Sequence, residues 1–346
     1  MTVHVGQPKT GSTSLQQTLD KSRSQLAEKG IYFPDIYPHA GNATILAYHL
    51  LKDPLYDGPV PWWLKKTTAE IRDLAVAEWS RILAEGRDQS LRHLLLSSEH
   101  YFADINDLSV KRLDTSTAHV AQTRTIVTYI RRPDQYYLSA LQQALRNWQI
   151  SELCCRNTLT KQLGPLLRNW TGQVKLLPFD KASLANGNIV DDFCKHILPE
   201  LDPGTLFTGR QLSNVSYSAE MISVLYDLVR GRVHIPAPQR VIYAELRKAE
   251  KRISNPTRPT LYPHVSERLL EWFAPDIDWL RREQGVVFKS LPETITNVAA
   301  SDVPAPEFQA IEELCPVNPD RKAALLNRVR RRATLPRPVR RWLTNW

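Results

Sequence analysis

The most informative part of the sequence is residues 3–14, which read VHVGQPKTGSTS. An apolar segment, residues 3–5, runs into a turn of small and hydroxyl-bearing residues, and a helix is predicted to begin near Leu15. The first N–H groups of such a helix have no partners within it, and its dipole places partial positive charge there. A strand, turn and helix in this order therefore predict a binding site for an anion, most often a phosphate.

The turn differs from a Walker A loop at one diagnostic position. Gly6 and Gly11 have the Walker spacing and Thr13 holds the final hydroxyl position, but Ser12 stands where the motif requires lysine. The lysine of this loop is Lys9, which precedes the second glycine. The usual γ-phosphate-binding lysine is therefore missing, which disfavours an ordinary nucleotide-hydrolysing enzyme. The alternative interpretation is a turn that is rich in serine and threonine but binds no phosphate.

A second segment joins a strand to a basic end. Residues 125–130, TIVTYI, are strongly β-prone, and Arg131 follows them directly. Its guanidinium offers a planar fork of donors to a phosphate. Pro133 suits the first position of the next helix, and Ser139 lies about two turns into that helix. One such segment is often a strand end with solvated arginines, but two in this order favour a shared phosphate site.

These two segments resemble the phosphate-binding elements of bacterial-type sulfotransferases that use 3′-phosphoadenosine-5′-phosphosulfate (PAPS). The resemblance rests on PKTGSTS at residues 8–14 and on Arg-x-Pro with a following serine, and it covers roughly residues 1–200. It implies that Arg131 and Ser139 bind the 3′-phosphate. It also implies that the 5′-phosphosulfate is held by Lys9, Thr10, Gly11, Ser12, Thr13 and Ser14.

Sulfuryl transfer needs a cation near the leaving oxygen and a base for the acceptor. Lys9 suits the first task, since an ammonium there stabilises charge that develops as the sulfuryl bond breaks. Glu99 is the first candidate for the base, His100 the second and His49 the third. A purely structural role for Glu99 stays open. The resemblance implies PAPS as donor, its product 3′-phosphoadenosine-5′-phosphate (PAP), and no metal.

The acceptor is expected to be a hydroxyl or amine of a carbohydrate or lipid-linked saccharide. Insertions near residues 36–66 and 232–262, rich in proline with aromatic or basic residues, are predicted to form the acceptor rim. Trp62 and Trp63, with His49 and Tyr101, are the candidate acceptor contacts. Packing of the two tryptophans against the edge of the sheet is the alternative.

The remaining pattern predicts an α/β fold with a central, mostly parallel sheet and helices on both faces. Strands are expected at 93–98 and 174–177, and a helix at 189–198. Further helices are predicted from Leu15 to a stop at Gly30, and from Ile71 to a stop at Gly86. We expect one domain over residues 1–320 and a basic tail over residues 321–346.

The charge of the chain is concentrated in that tail. Nine of its residues are Lys or Arg and none is Asp or Glu, which accounts for the whole net charge of +9. The body is therefore not expected to bind nucleic acid. Interleaved leucines and tryptophans suit contact with an anionic membrane; packing on the domain, a dimer contact or a solvated end are the alternatives. Oligomeric state stays open.

Cysteine spacing and the first residues bear on the compartment. The four cysteines, at 154, 155, 194 and 315, have neither metal nor disulfide spacing, which favours a reducing cytoplasm. Because the chain opens on its first strand and has no long apolar run, no leader or anchor is expected. A P-loop kinase and a non-catalytic nucleotide- or polyanion-binding module are the alternative functions.

Overall fold

The computed structural model describes residues 1–37, 41–58, 60–88, 92–149, 158–207, 217–291 and 307–336. The chain divides into two compact units. The first comprises Met1–Arg132, Asn157–Ser213 and Pro275–Ile295. The second comprises Pro133–Arg156, Asn214–Ala274 and Thr296–Trp346. The single domain expected over residues 1–320 stays a prediction.

The first unit is built on a five-stranded sheet in which all strand pairs are parallel. The strands are β1 Thr2–Val5, β2 Ile31–Tyr32, β3 His93–Ser98, β4 Thr125–Arg131 and β5 Gln173–Phe179. Their order is β2-β3-β1-β4-β5, so β1 lies at the centre between β3 and β4. The predicted α/β fold is confirmed. Because parallel strands end at the same edge, the segments after β1, β3 and β4 are neighbours.

Helices connect the strands and form most of the second unit. In the described residues they are α1 Ser12–Lys21, α2 Arg23–Glu28, α3 Ala47–Leu50, α4 Thr68–Asp88, α5 His100–Ala103, α6 Asp107–Thr117, α7 Pro133–Arg146, α8 Thr158–Asn169, α9 Ile189–Ile197, α10 Ala219–Val229, α11 Gln239–Glu250, α12 Pro263–Trp272, α13 Ala274–Gln284 and α14 Pro319–Ala333. Short 3₁₀ turns lie at Thr44–Leu46, Trp62–Leu64, Ala185–Gly187, Pro203–Thr205 and Ile311–Glu313. None of the described helices is both long and apolar enough to cross a membrane.

Alternation along the strands supplies two apolar cores. Val3 and Ile126 belong to one core, together with residues of α4, α6 and α8. Leu95 and Val127 belong to the other, together with residues of α1 and α9. Since successive side chains of a strand point to opposite faces, the cores lie on opposite faces of the sheet. Helices therefore cover both faces, as predicted.

In the second unit, α7 packs against α10 and α12, and α14 packs against α10 and α11. Leu325 and Val329, one turn apart on α14, are buried. Residues 321–333, predicted as part of a tail, thus all belong to a helix whose apolar stripe faces its own unit. This is the packing alternative that the sequence left open. Residues 337–346 lie outside the described residues, so membrane contact there stays a prediction.

Several helix boundaries differ from the sequence prediction. The helix from Leu15 is two helices, because Ser22 leaves helical geometry between them with φ −107° and ψ 18°. Helix α4 runs through Gly86 to Asp88. The stretch 232–262, predicted to be an irregular rim, contains α11, since Ile242, Leu246 and Ala249 form an apolar stripe at helical spacing.

Candidate functional site

The loop between β1 and α1 leaves the sheet beside the end of β3. The backbone N–H of Gly6 donates to the carbonyl of Ser98 over 3.2 Å, continuing the pairing of the two strands. Lys9 and Gly11 then take left-handed backbone conformations, with φ 71° and 76°. Gly11 stands at the N-cap of α1 without a side chain to cap it, and the first turn of α1 has no acidic residue. The N-terminus of α1 therefore suits an anion.

Ser12, at the Walker lysine position, faces into this loop. Its hydroxyl is buried and has no hydrogen-bond partner among the described residues. A Cβ added at Gly6 would lie 2.8 Å from that Oγ atom, so glycine is required for the close approach. A buried hydroxyl without a partner is costly unless a ligand uses it. Thr10 is also buried, and its hydroxyl donates to the carbonyl of Gln7 over 2.6 Å, which closes the turn.

Arg131, the last residue of β4, is bonded to the loop at two points. Its backbone N–H donates to Oε1 of Gln7 over 2.8 Å, and its guanidinium donates to the carbonyl of Lys9 over 2.9 Å. Gln7 is 2% exposed, so its side chain is fixed in place. The two segments that the sequence singled out therefore meet at one edge of the sheet.

A buried network of hydrogen-bonded side chains lies under the loop. Nε2 of Gln16, on α1, donates to Oγ of Ser97 over 3.0 Å, and Ser97 Oγ lies 2.8 Å from Nδ1 of His4. Nε2 of His4 has no hydrogen-bond partner among the described residues. Burial lowers the pKa of His4 to about 4, so the imidazole is neutral at pH 7. These hydrogen bonds join β1, β3 and α1 beneath the predicted anion site.

The buried His4 should make the stability of the protein depend on pH. An unfolded chain protonates this histidine near pH 6.5, whereas the folded chain does so only near pH 4. Between these values the unfolded state binds more protons, so the free energy of unfolding falls as the pH drops. We expect His4 to remove about 2 kcal/mol between pH 8 and pH 5.

Urea unfolding of the wild type and of His4→Gln at both pH values measures this contribution. The variant should lose less stability than the wild type on acidification. An equal loss in the two proteins would contradict the assignment of the pH dependence to His4.

Glu99 and His100 follow the end of β3, beside the loop. Ser98 pairs in register with Val5, so Glu99 begins at the level where the loop leaves β1. Glu99 is at the N-cap of α5 and does not continue the strand. His100 is half-buried, and its ring lies 5.9 Å from that of Trp63. Both candidate bases are thus at the same edge of the sheet as the loop.

The other predicted acceptor contacts lie in different surroundings. Tyr101 is fully buried and its hydroxyl donates to the carbonyl of Ala43 over 2.9 Å, so its side chain is part of the core and does not suit acceptor contact. His49 is half-buried on α3, 6.4 Å from the ring of Trp79, and burial lowers its pKa. Trp62 begins a 3₁₀ turn, and its side chain lies outside the described structure.

Ser139 lies on α7, half-buried. That helix belongs to the second unit, whereas Arg131 belongs to the first. The predicted start of the helix at Pro133 is confirmed. Binding of one phosphate by Ser139 and Arg131 stays a prediction.

Sequence reasoning missed Gln7, Gln16 and His4. A polar residue inside an apolar strand, such as His4 between Val3 and Val5, is the signal that could have marked the buried network. The bond from Gln7 to Arg131 joins residues 124 positions apart and has no local signature.

No known protein family, curated protein or solved structure matches this chain. Among the described residues, no group of three or more His, Cys, Asp or Glu side chains is arranged to hold a metal ion. The fold defines the chain as an α/β protein built on a five-stranded parallel sheet.

Proposed function

We propose that this protein is a PAPS-dependent sulfotransferase that moves a sulfuryl group to a hydroxyl or amine of a carbohydrate or lipid-linked saccharide. The observation that carries the proposal is the link between the two segments. Arg131 donates to the backbone of the loop at Lys9, and Gln7 accepts from the backbone of Arg131. A loop for one phosphate and an arginine for another are thereby held at a fixed spacing, as a donor with phosphates at both the 5′ and 3′ positions requires.

The residues of the loop divide the work of transfer. The N-terminus of α1, with the hydroxyls of Ser12 and Thr13, would bind the 5′-phosphosulfate. The ammonium of Lys9 would stabilise the negative charge that forms on the phosphate oxygen as its bond to sulfur breaks. The acceptor oxygen forms the new bond to sulfur in line, and PAP leaves with the electron pair of the broken bond.

Glu99 would accept the proton of the acceptor hydroxyl. A general base must come within hydrogen-bond reach of that proton, and the start of α5 lies beside the loop that holds the donor. His100 is the second candidate for the same task, and the ring of Trp63 beside it would give a saccharide a face to stack on.

A P-loop kinase fits the site less well. The position at which a Walker motif requires lysine is occupied by Ser12, whose hydroxyl is buried at the turn. A kinase would need a cation from elsewhere at the terminal phosphate. A non-catalytic binding module stays the other alternative. An assay for release of PAP from PAPS, with a panel of saccharides and no added metal, distinguishes sulfuryl transfer from these two alternatives.

Substitution of the two candidate bases separates their roles. We expect Glu99→Gln to lower turnover about 100- to 10,000-fold while the affinity for PAP changes less than twofold, because the loop and Arg131 are untouched. His100→Gln, the matched control at the next position, should keep most of the turnover. Single-turnover rates measure the effect of each substitution on turnover, and PAP titrations measure its effect on PAP affinity. Near-normal activity of Glu99→Gln beside an inactive His100→Gln would make His100 the base.

A further inference from the structure

The segment around Asn42 connects α1 to the carboxyl end of β3. A Cβ atom added at Gly41 would lie 2.6 Å from the carbonyl oxygen of Gln16, so this glycine packs directly on α1, about one turn after the helix begins. The backbone N–H of Ala43 then donates to the carbonyl of Ser97, near the end of β3, over 2.9 Å. Asn42 therefore lies between α1 and the end of β3, at the edge of the sheet where the loop leaves β1.

A series of hydrogen bonds with one direction holds the side chain of Asn42. The backbone N–H of His100 donates to Oγ of Ser98 over 3.2 Å. Oγ of Ser98 lies 3.2 Å from Oγ1 of Thr44, and the Thr44 hydroxyl donates to Oδ1 of Asn42 over 2.6 Å. Because each hydroxyl has one proton and Thr44 gives its own to Asn42, the proton of Ser98 goes to Thr44. Every bond of the series then points towards Asn42.

This series fixes the orientation of the Asn42 amide. Its oxygen faces Thr44, so its NH₂ group is turned away from the series, and it donates to none of the described residues. Thr44 is 1% exposed and Ser98 is fully buried, whereas Asn42 is half-buried. A rigid, buried set of hydrogen bonds thus ends in a donor at a position that a ligand can reach.

We propose that the NH₂ group of Asn42 donates a hydrogen bond to an oxygen of the sulfuryl group during its transfer, and that Thr44 is the positioning residue for this amide. The inference rests on the proposed function. The sulfuryl oxygens carry negative charge, and a donor that is already in place stabilises such charge without reorganisation. In the proposed reaction the sulfuryl group moves between the loop, which continues into α1, and Glu99, which follows β3. The Asn42 segment contacts both α1 and β3.

Asn42 takes no part in proton transfer in this proposal. The acceptor proton goes to the base, and the electron pair of the broken bond leaves with PAP. The amide stabilises only the charge on the sulfuryl oxygens. The alternative is a structural role, in which the oxygen of Asn42 accepts from Thr44 and nothing more.

Asn42→Asp distinguishes the two roles. Aspartate has nearly the same shape and still accepts from Thr44, but it has no N–H to donate, so a structural role predicts that this variant stays active. We expect turnover to fall about 100- to 1000-fold in both Asn42→Asp and Asn42→Ala. PAP has no sulfuryl group, so its affinity for Asn42→Ala should change less than twofold. Release of PAP from saturating PAPS, with the saccharide that the wild type uses best, and PAP titrations measure these effects.

Thr44→Val tests the positioning role. Valine has nearly the same size as threonine but no hydroxyl, so the amide of Asn42 loses the bond that orients it. We expect turnover to fall about tenfold, as for one lost hydrogen bond, whereas the matched control Thr44→Ser should stay within twofold of the wild type. In the Asn42→Ala background the same Thr44→Val change should alter turnover less than twofold, because there is no amide to orient.

Thermal unfolding checks that the variants are folded, and Asn42→Asp is the decisive variant if Asn42→Ala melts early. Near-normal turnover of Asn42→Asp would overturn the proposal. So would a parallel loss of PAP affinity and turnover in Asn42→Ala, because the residue would then support the loop, or a higher acceptor KM with unchanged kcat, which would assign Asn42 to acceptor binding. A wild type that neither binds PAP nor releases it from PAPS would instead defeat the proposed function itself.

Discussion

Replacing Lys9 with glycine should remove most of the turnover while leaving the protein more stable than the Lys9→Ala variant. Loss of the ammonium at the leaving oxygen is expected to lower kcat about 100- to 1000-fold in both variants. Their stabilities should differ because Lys9 has φ 71°, a conformation that costs alanine but not glycine. We expect the free energy of unfolding of Lys9→Gly to be about 1 kcal/mol larger than that of Lys9→Ala.

Single-turnover transfer rates and urea unfolding of the two variants measure both effects. The bond from Arg131 goes to the backbone carbonyl of residue 9, so neither substitution removes it. Lys9→Arg serves as the control that keeps a positive charge, and it should retain more turnover than either. Wild-type kcat in Lys9→Gly would show that this side chain has no part in the chemistry.

Replacing Arg131 with alanine should abolish most of the preference for PAP over AMP. A guanidinium that binds the 3′-phosphate is worth about 1.5–3 kcal/mol as a charged hydrogen bond, or roughly 10- to 150-fold in the ratio of the two dissociation constants. The affinity for AMP should fall less, because AMP has no 3′-phosphate. Some loss of AMP affinity is still expected, because the substitution also removes the hydrogen bond to the Lys9 carbonyl.

Arg132 offers a matched control for this experiment. It is the next residue, carries the same charge, and its guanidinium donates to Oγ of Ser290 over 2.9 Å. Arg132→Ala should leave the ratio of PAP to AMP affinity within twofold of the wild type. If both variants lose the preference equally, general positive charge binds the 3′-phosphate and Arg131 has no specific role.

The sheet and its central loop were predictable because their signals are local. Residues 3–5 and 125–130 are apolar and β-prone, which indicates strands. The small residues after β1 indicate a turn that leads into a helix. Strand β2 has only two residues, too few to show any periodicity. Helix α11 had a readable apolar stripe, but the prolines and charges around it favoured an irregular interpretation.

The site was predictable in part for the same reason. The sequence marked the loop, Arg131 and the end of β3, but it could not show that Gln7 bonds to Arg131 or that His4 and Gln16 share Ser97. Those contacts depend on strand order, which brings distant residues together. The burial of Tyr101 depends likewise on the packing of α5, which no nearby residue reveals.

Calorimetry of the wild type with PAP, AMP and ATP, in the absence of metal, tests the proposed donor site itself. We expect PAP to bind at least tenfold more tightly than AMP or ATP, because Arg131 and the loop each bind one of its phosphates. Equal affinity for PAP and AMP, or binding of ATP alone, would show that the protein has no PAP site of the proposed kind.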